Sequence, residues 1–330
     1  MKLVTFVGSH GRERLGAIVG PEGDEHVLDL ATAAHRDHVP ATAFRSMLAL
    51  IEAGPRALDK ARDLAATHGI DEDIARPLSR VRLLAPIPVP PQVRDFSVFP
   101  RHILDAPVGM RRIIARAKGD EAAAQALKPD AEVPKVYRER PIYYFTNRFS
   151  IVGPDSDIVW PDYSKLMDYE LEFAAVLWGG GSNIDHGEAG RHIFGYTIFN
   201  DFSARDAQLA EMAGMLGPAK GKSFDAGNAL GPYILTADEV PDPYGLAATA
   251  RVNGQVWTDS STAGMLHSFE DMIAYVSRSE TLRPGEVFGS GTVNGGCGLE
   301  HDRFLSHGDV IELSVAGLGT LRNRVLASAA

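Results

Sequence analysis

Cysteine is nearly missing: Cys297 is the single one in 330 residues. One thiol excludes an intrachain disulfide and a thiolate metal cluster, and it suits a reducing compartment. Long apolar runs are missing too, since no stretch reaches the roughly 18–20 apolar residues of a membrane-spanning helix. The opening Met1-Lys2-Leu3-Val4-Thr5-Phe6-Val7-Gly8 reads as a short strand, without the apolar core and cleavage site of a signal peptide. These absences predict a soluble cytoplasmic protein. Basic residues are the minority charge, Lys+Arg 33 against Asp+Glu 43, for a net charge of −10. That balance disfavours nucleic acid and membrane lipid as partners. Phosphate-binding glycine loops are absent as well: Gly179-Gly180-Gly181 lacks the lysine and the spacing, and reads as a turn.

What is present is turn chemistry. The 33 Gly and 20 Pro point to many turns and hence to strands. Short apolar runs at Leu3–Val7, Leu15–Val19 and His26–Leu30 predict strands, and Phe44, Met47, Leu48 and Ile51 predict a helix within 41–68 broken at Gly54-Pro55. Four prolines among residues 86–91 exclude a central strand and a helix interior. The domain boundary is placed at that connector: a small N-terminal β-rich domain with a helical segment over 1–85, and a larger domain over 86–330. In the larger part, 110–127 and Leu266–Ser279 read as helices and Tyr169–Trp178 and Gly195–Asn200 as strands. Val252-Asn253-Gly254-Gln255 is a strong hairpin signal. The fold class is therefore α+β and β-rich, without alternating βαβ units.

One constellation carries chemistry. In Tyr169-Glu170-Leu171-Glu172-Phe173, strand alternation projects both glutamates from one face. Two like charges so close on a strand call for a positive partner, although an isolated pair of this kind is more often simply solvated. Asp201 ends an apolar run, and Asp95 sits among apolar residues, where an acid needs a partner. Four oxygen donors without Cys suit a hard divalent cation: Mg²⁺, Ca²⁺ or Mn²⁺.

Taken in order, Asp95…His102, Tyr169-Glu170-Leu171-Glu172, Asn200-Asp201-Phe202-Ser203-Ala204-Arg205-Asp206-Ala207-Gln208, Gly221-Lys222-Ser223-Phe224 and Ser290-Gly291-Thr292 resemble the fumarylacetoacetate hydrolase family, over roughly 85–326. The resemblance implies a mixed β-roll catalytic domain, a divalent metal with Mg²⁺ foremost, and a homodimer. It implies Asp95, Glu170, Glu172 and Asp201 as metal ligands, and His102 as a base oriented by Glu300. It further implies Lys222 as a stabiliser of developing negative charge, and Tyr144, Gln208, Gly291 and Thr292 as substrate contacts. The substrate it implies is a small 2-oxo or diketo acid, with C–C bond hydrolysis of an acylpyruvate-type acid as the leading reaction. Decarboxylation, isomerisation or dehydration of a 2-oxo acid on the same site is the alternative. Ser97 and Met212 stand where the animal fumarylacetoacetate hydrolases carry aromatic hydroxyls, which argues against fumarylacetoacetate itself.

Overall fold

The computed structural model describes residues 1–8 and 11–328. It is α+β and dominated by an eleven-stranded sheet. From one edge the strands run Ala75–Pro77, His26–Asp29, Glu13–Val19, Lys2–Val7, Asn228–Thr236, Ile193–Asp201, Leu171–Leu177, Val287–Gly289, Val93–Phe96 and Tyr143–Phe145; Ile151–Val152 pairs parallel to the Asn228 strand. A second sheet of five strands contains Ala247–Val252 and Gln255–Ser261, joined by Asn253 and Gly254 at φ 50° and 79°. Both turn residues are left-handed, as the tight hairpin turn requires.

The expected N-terminal strands form, and Lys2–Val7 hydrogen-bonds directly to Asn228–Thr236. Residues 1–85 thus extend the same sheet that carries the acidic residues. Their helices Leu30–Arg36, Met47–Ala53 and Pro55–His68 supply Leu30, Leu50, Ile51, Leu58 and Leu64 to a core shared with Val93, Ala174, Val176, Phe199 and Ile234. The connector over 86–91 contributes no helix or strand.

Three elements differ from the sequence reading; of the helix expected over Leu266–Ser279, only Phe269–Val276 forms. The helix expected over 110–127 begins earlier, at Pro100, and runs to Ala117; a separate short helix covers Glu121–Ala126. Proline at the first helical position costs no hydrogen bond, so Pro100 starts this helix although Pro107 lies inside it. The helix ends ahead of Gly119 at φ 76°, and Asp120, whose side chain accepts from the Ala123 N–H, caps the start of the next helix. The strand expected over 169–178 starts only at Leu171, and Met167–Asp168 pairs instead with Ser203–Ala204. Tyr169 and Glu170 make the crossing between the two, with Glu170 bridged to Cys297.

Candidate active site

Alternation along three strands builds the acidic centre. Val93 and Asp95 share a face, as do Glu172, Ala174 and Val176, and as do Phe199 and Asp201. The apolar members belong to the core under the N-terminal helices. The opposite face, with Phe96, Leu171, Phe173 and Ile198, packs into the other core. Each strand therefore ends its apolar face in one carboxylate. Between the strands of Asp95 and Glu172 runs Val287–Gly289, whose Gly289 is in register with both Asp95 and Ala174. A Cβ there would lie 3.0 Å from Asp95 Oδ1 and 2.8 Å from the Phe199 ring, so only glycine leaves the carboxylate its place.

Glu170 joins from the crossing segment, its N–H donating to Asn200 Oδ1. One oxygen from each of Asp95, Glu170, Glu172 and Asp201 lies within 4.8 Å of the other three. All four are buried, Glu172 and Asp201 completely. Lys222 Nζ donates to Glu170 at 2.5 Å and to Asp201. Arg205, also buried, pairs with Glu170 at 2.8 Å and with Asp168 at 2.7 Å.

Five buried carboxylates thus face two buried cations, a strongly unbalanced set. The imbalance shows in their acidities. Burial, with Asp201 nearby, pushes the Asp95 carboxyl well above the usual range, and burial with Asp95 nearby does the same to Glu172. Asp201 is raised by burial, with Lys222 opposing. Glu170 alone is lowered: burial would raise it, but Lys222 and Arg205 together outweigh that. Asp95 Oδ1 and Asp201 Oδ1 are buried with no hydrogen-bond partner among the described residues. Buried acceptors without partners and an all-oxygen donor set fit a hard divalent cation held by Asp95, Glu170, Glu172 and Asp201.

A cavity of about 310 Å³ opens onto three of these carboxylates, Asp95, Glu170 and Glu172. His102, Lys222, Tyr144, Gln208 and Thr292 line it with them, and Phe96, Tyr137, Ile142, Tyr143 and Met212 form its apolar wall. His102 stands in the first turn of the Pro100–Ala117 helix, and its Nδ1 lies 2.5 Å from Glu300 Oε1. Glu300 belongs to the short helix Gly298–His301, and its side chain is only 2% exposed. Glu300 engages Nδ1, which leaves Nε2 as the ring nitrogen free to act as a base.

Each residue expected at the site can now be placed. Tyr144 lines the cavity and also donates its hydroxyl to Asp201 Oδ2 at 2.5 Å, its acidity suppressed by burial and by Asp201. Gln208 lines the cavity, with Oε1 accepting from Arg205 at 2.9 Å. Thr292 lies on the wall, but Gly291 lies behind it, where its N–H donates to Glu172 Oε2 at 3.0 Å. Gly291 thus holds an acidic residue in place without reaching the cavity. Cys297 is buried 4.0 Å from His102 Nδ1, and burial together with Glu300 pushes its thiol well up, so it stays protonated. Sequence reasoning gave no role to Arg205 or Asp168. Arg205 stands inside the Asn200–Gln208 string, directly after the Ser203–Ala204 strand, and Asp168 stands one residue before Tyr169.

The C-terminal domain model of fumarylacetoacetate (FAA) hydrolase matches residues 112–326. Over 329 residues the chain is 32% identical to the mitochondrial oxaloacetate tautomerase Fahd2a of Rattus norvegicus, covering 99% of this chain and 92% of that protein. It is 30% identical to the oxaloacetate tautomerase YisK of Bacillus subtilis over 309 residues, or 92% and 93% of the two chains. The fumarylacetoacetate hydrolase of psychrophilic Exiguobacterium antarcticum superposes with a TM-score of 0.71 at 30% identity, covering 99% of this chain and 100% of that one. A maleylpyruvate hydrolase from Sphingobium sp. SYK-6 reaches 0.70 at 20% identity over 99% and 100%, a likeness of fold alone.

Proposed function

The chain belongs to the fumarylacetoacetate hydrolase family, and from that premise we propose that it is a metal-dependent enzyme moving a proton beside the keto group of a 2-oxo acid. The observation that carries the reading is the His102–Glu300 pair. Glu300 engages Nδ1 and leaves the second imidazole nitrogen of His102 unbound, and His102 lines the cavity onto which the acidic residues open. Asp95, Glu170, Glu172 and Asp201 would hold a divalent cation, which would supply Lewis-acid polarisation of the substrate carbonyl.

The chain's own residues do the rest. His102 Nε2 takes the proton from the carbon next to the carbonyl, while Glu300 keeps Nδ1–H oriented and offsets the imidazolium charge that forms. The substrate is then an enolate, and Lys222, in the cavity wall beside Glu170 and Asp201, is the cation that offsets that charge. Return of the proton to the enolate oxygen or carbon completes a keto–enol interconversion with no bond of the carbon skeleton broken. Oxaloacetate is the first substrate to test, because relatives matching nearly the whole chain are named as its tautomerases. This replaces C–C hydrolysis as the leading reaction.

A second reading keeps hydrolysis. The apolar wall of Phe96, Tyr137, Ile142, Tyr143 and Met212 offers more room than a four-carbon acid fills. An acylpyruvate-type acid would use that wall, and the same histidine would take its proton from water. Mg²⁺ is the metal proposed for either reaction, and a homodimer the assembly, to be checked by metal analysis and light scattering. Incubating the protein and Mg²⁺ with enol-oxaloacetate, and separately with acetylpyruvate, followed by proton NMR, distinguishes the readings. Accelerated enol-to-keto conversion without fragments supports the first. Pyruvate and acetate from acetylpyruvate, with no change in the oxaloacetate rate, would overturn it in favour of hydrolysis.

A further inference from the structure

Asp168 is the most heavily bonded buried acid that the mechanism leaves unused. It is fully buried and is not among the residues lining the cavity. Its Oδ1 accepts from the Gly298 N–H at 2.8 Å, and its Oδ2 from the Leu299 N–H at 2.9 Å. Those two amides open the short helix whose next residue is Glu300. Flanking backbone bridges, Met167 with Leu305 and Glu170 with Cys297, strap the same loop to the same segment. On its other side Asp168 takes Arg205 Nε at 2.8 Å and a second guanidinium nitrogen at 2.7 Å. The remaining arm of Arg205 reaches Glu170 at 2.8 Å and Gln208 at 2.9 Å.

We infer that Asp168, acting through Arg205 and the 298–301 turn, is a positioning residue that keeps the His102–Glu300 pair in register with the acidic centre. Two residues separate it in sequence from Glu170, yet its contacts lead to the loop that orients the base. A rigid link of this kind is what proton transfer needs. A misplacement of about 1 Å between base and substrate costs on the order of 10²-fold in rate. A buried ion pair can also serve the fold alone, and replacing such a pair is often neutral, so burial by itself does not assign the role. The assignment rests on where the hydrogen bonds come from: the Gly298 and Leu299 amides of the turn and Arg205 Nε. It also rests on the roles given above to His102 and Glu300.

The test is Asp168→Asn in the full chain with Mg²⁺, read in three ways. Asparagine keeps the shape but turns one acceptor into a donor facing Leu299 N–H and Arg205. The low-field imidazole N–H resonance of the His102–Glu300 bond, identified by its loss in His102→Ala, is expected to shift or broaden. The kcat for oxaloacetate tautomerisation is expected to fall by roughly 10²-fold with KM little changed. A Mn²⁺ titration is expected to match the parent. Arg205→Lys is the second variant: it keeps a charge near Glu170 but loses the fork that spans Asp168 and Gln208. It should give the same resonance change, and the double variant should be no worse than the more impaired single one. An unmoved resonance in both variants overturns the inference, and so does a kcat loss that tracks lost Mn²⁺ affinity. If the parent protein shows no tautomerase activity, the proposed reaction falls, while the resonance still decides the positioning role.

Discussion

Glu172 shows how much a single side chain is asked to carry. It is completely buried among three other acids, yet it accepts only the Gly291 N–H at 3.0 Å and a long contact from Thr292 at 3.5 Å. Glu172→Gln keeps its volume and removes one charge from the overcrowded set. In chelator the variant is expected to be at least as stable as the parent, because like-charge repulsion is relieved. With Mg²⁺ the order reverses, because the parent binds the ion more tightly and gains more from it. Calorimetry of both proteins with and without Mg²⁺ checks this; equal metal stabilisation would return Glu172 to a structural role. His102→Ala makes the complementary prediction. Loss of the base should lower turnover by roughly 10²–10⁴-fold, with metal affinity kept, as kinetics and a Mn²⁺ titration would show. Asp95 stood out in the sequence because a carboxylate among apolar residues announces an uncompensated desolvation, whereas His102 was reached through the family resemblance. The roles of Asp168 and Arg205 were not legible, because the two lie 37 residues apart and Asp168 meets Gly298 across 130 residues, a meeting no local pattern encodes.

At the scale of elements, the sequence reading succeeded where the signal was local and failed where pairing decided. The Asn253-Gly254 hairpin and the break at Gly54 both follow from residues in contact along the chain. The break between Asp168 and Leu171 does not, because it arises when Met167–Asp168 pairs with Ser203–Ala204 instead of continuing in the large sheet. Val287–Gly289 is the element whose tolerance the site tests most directly. Its Gly289 lies beneath the acidic centre between two strands that each supply a carboxylate. Gly289→Ala forces either the Phe199 ring or the Asp95 carboxylate to move. Overpacking of that kind costs about 1–3 kcal/mol, and a displaced Asp95 should weaken the metal as well. Urea unfolding combined with a metal titration reads both effects. Unchanged metal affinity would mean that Phe199 alone yields.

On the scale of the whole molecule, the connector at 86–91 divides the sequence more clearly than it divides the hydrogen bonding. Lys2–Val7 is paired on one side with Glu13–Val19 and on the other with Asn228–Thr236. Leu3, Leu15 and Leu28 are fully buried in a core shared with Val176, Phe199 and Ile234. Phe199 lies two residues before Asp201, so the packing of residues 1–85 continues into the layer that ends in the acidic centre. A division based on proline content alone could not reveal this, because strand pairing across more than 220 residues leaves no mark in composition. Unfolding is therefore expected to be one cooperative transition by differential scanning calorimetry, with calorimetric and van't Hoff enthalpies in agreement. Mg²⁺ should raise that single transition as a whole, by about 2.7 kcal/mol at a free concentration one hundred times Kd. A chain of residues 86–330 would expose Val176, Phe199 and Ile234 to water and leave one edge of the Asn228 strand unpaired, so it should aggregate. Two resolved transitions, only the later one responding to Mg²⁺, would show instead that the N-terminal part folds apart from the site it covers.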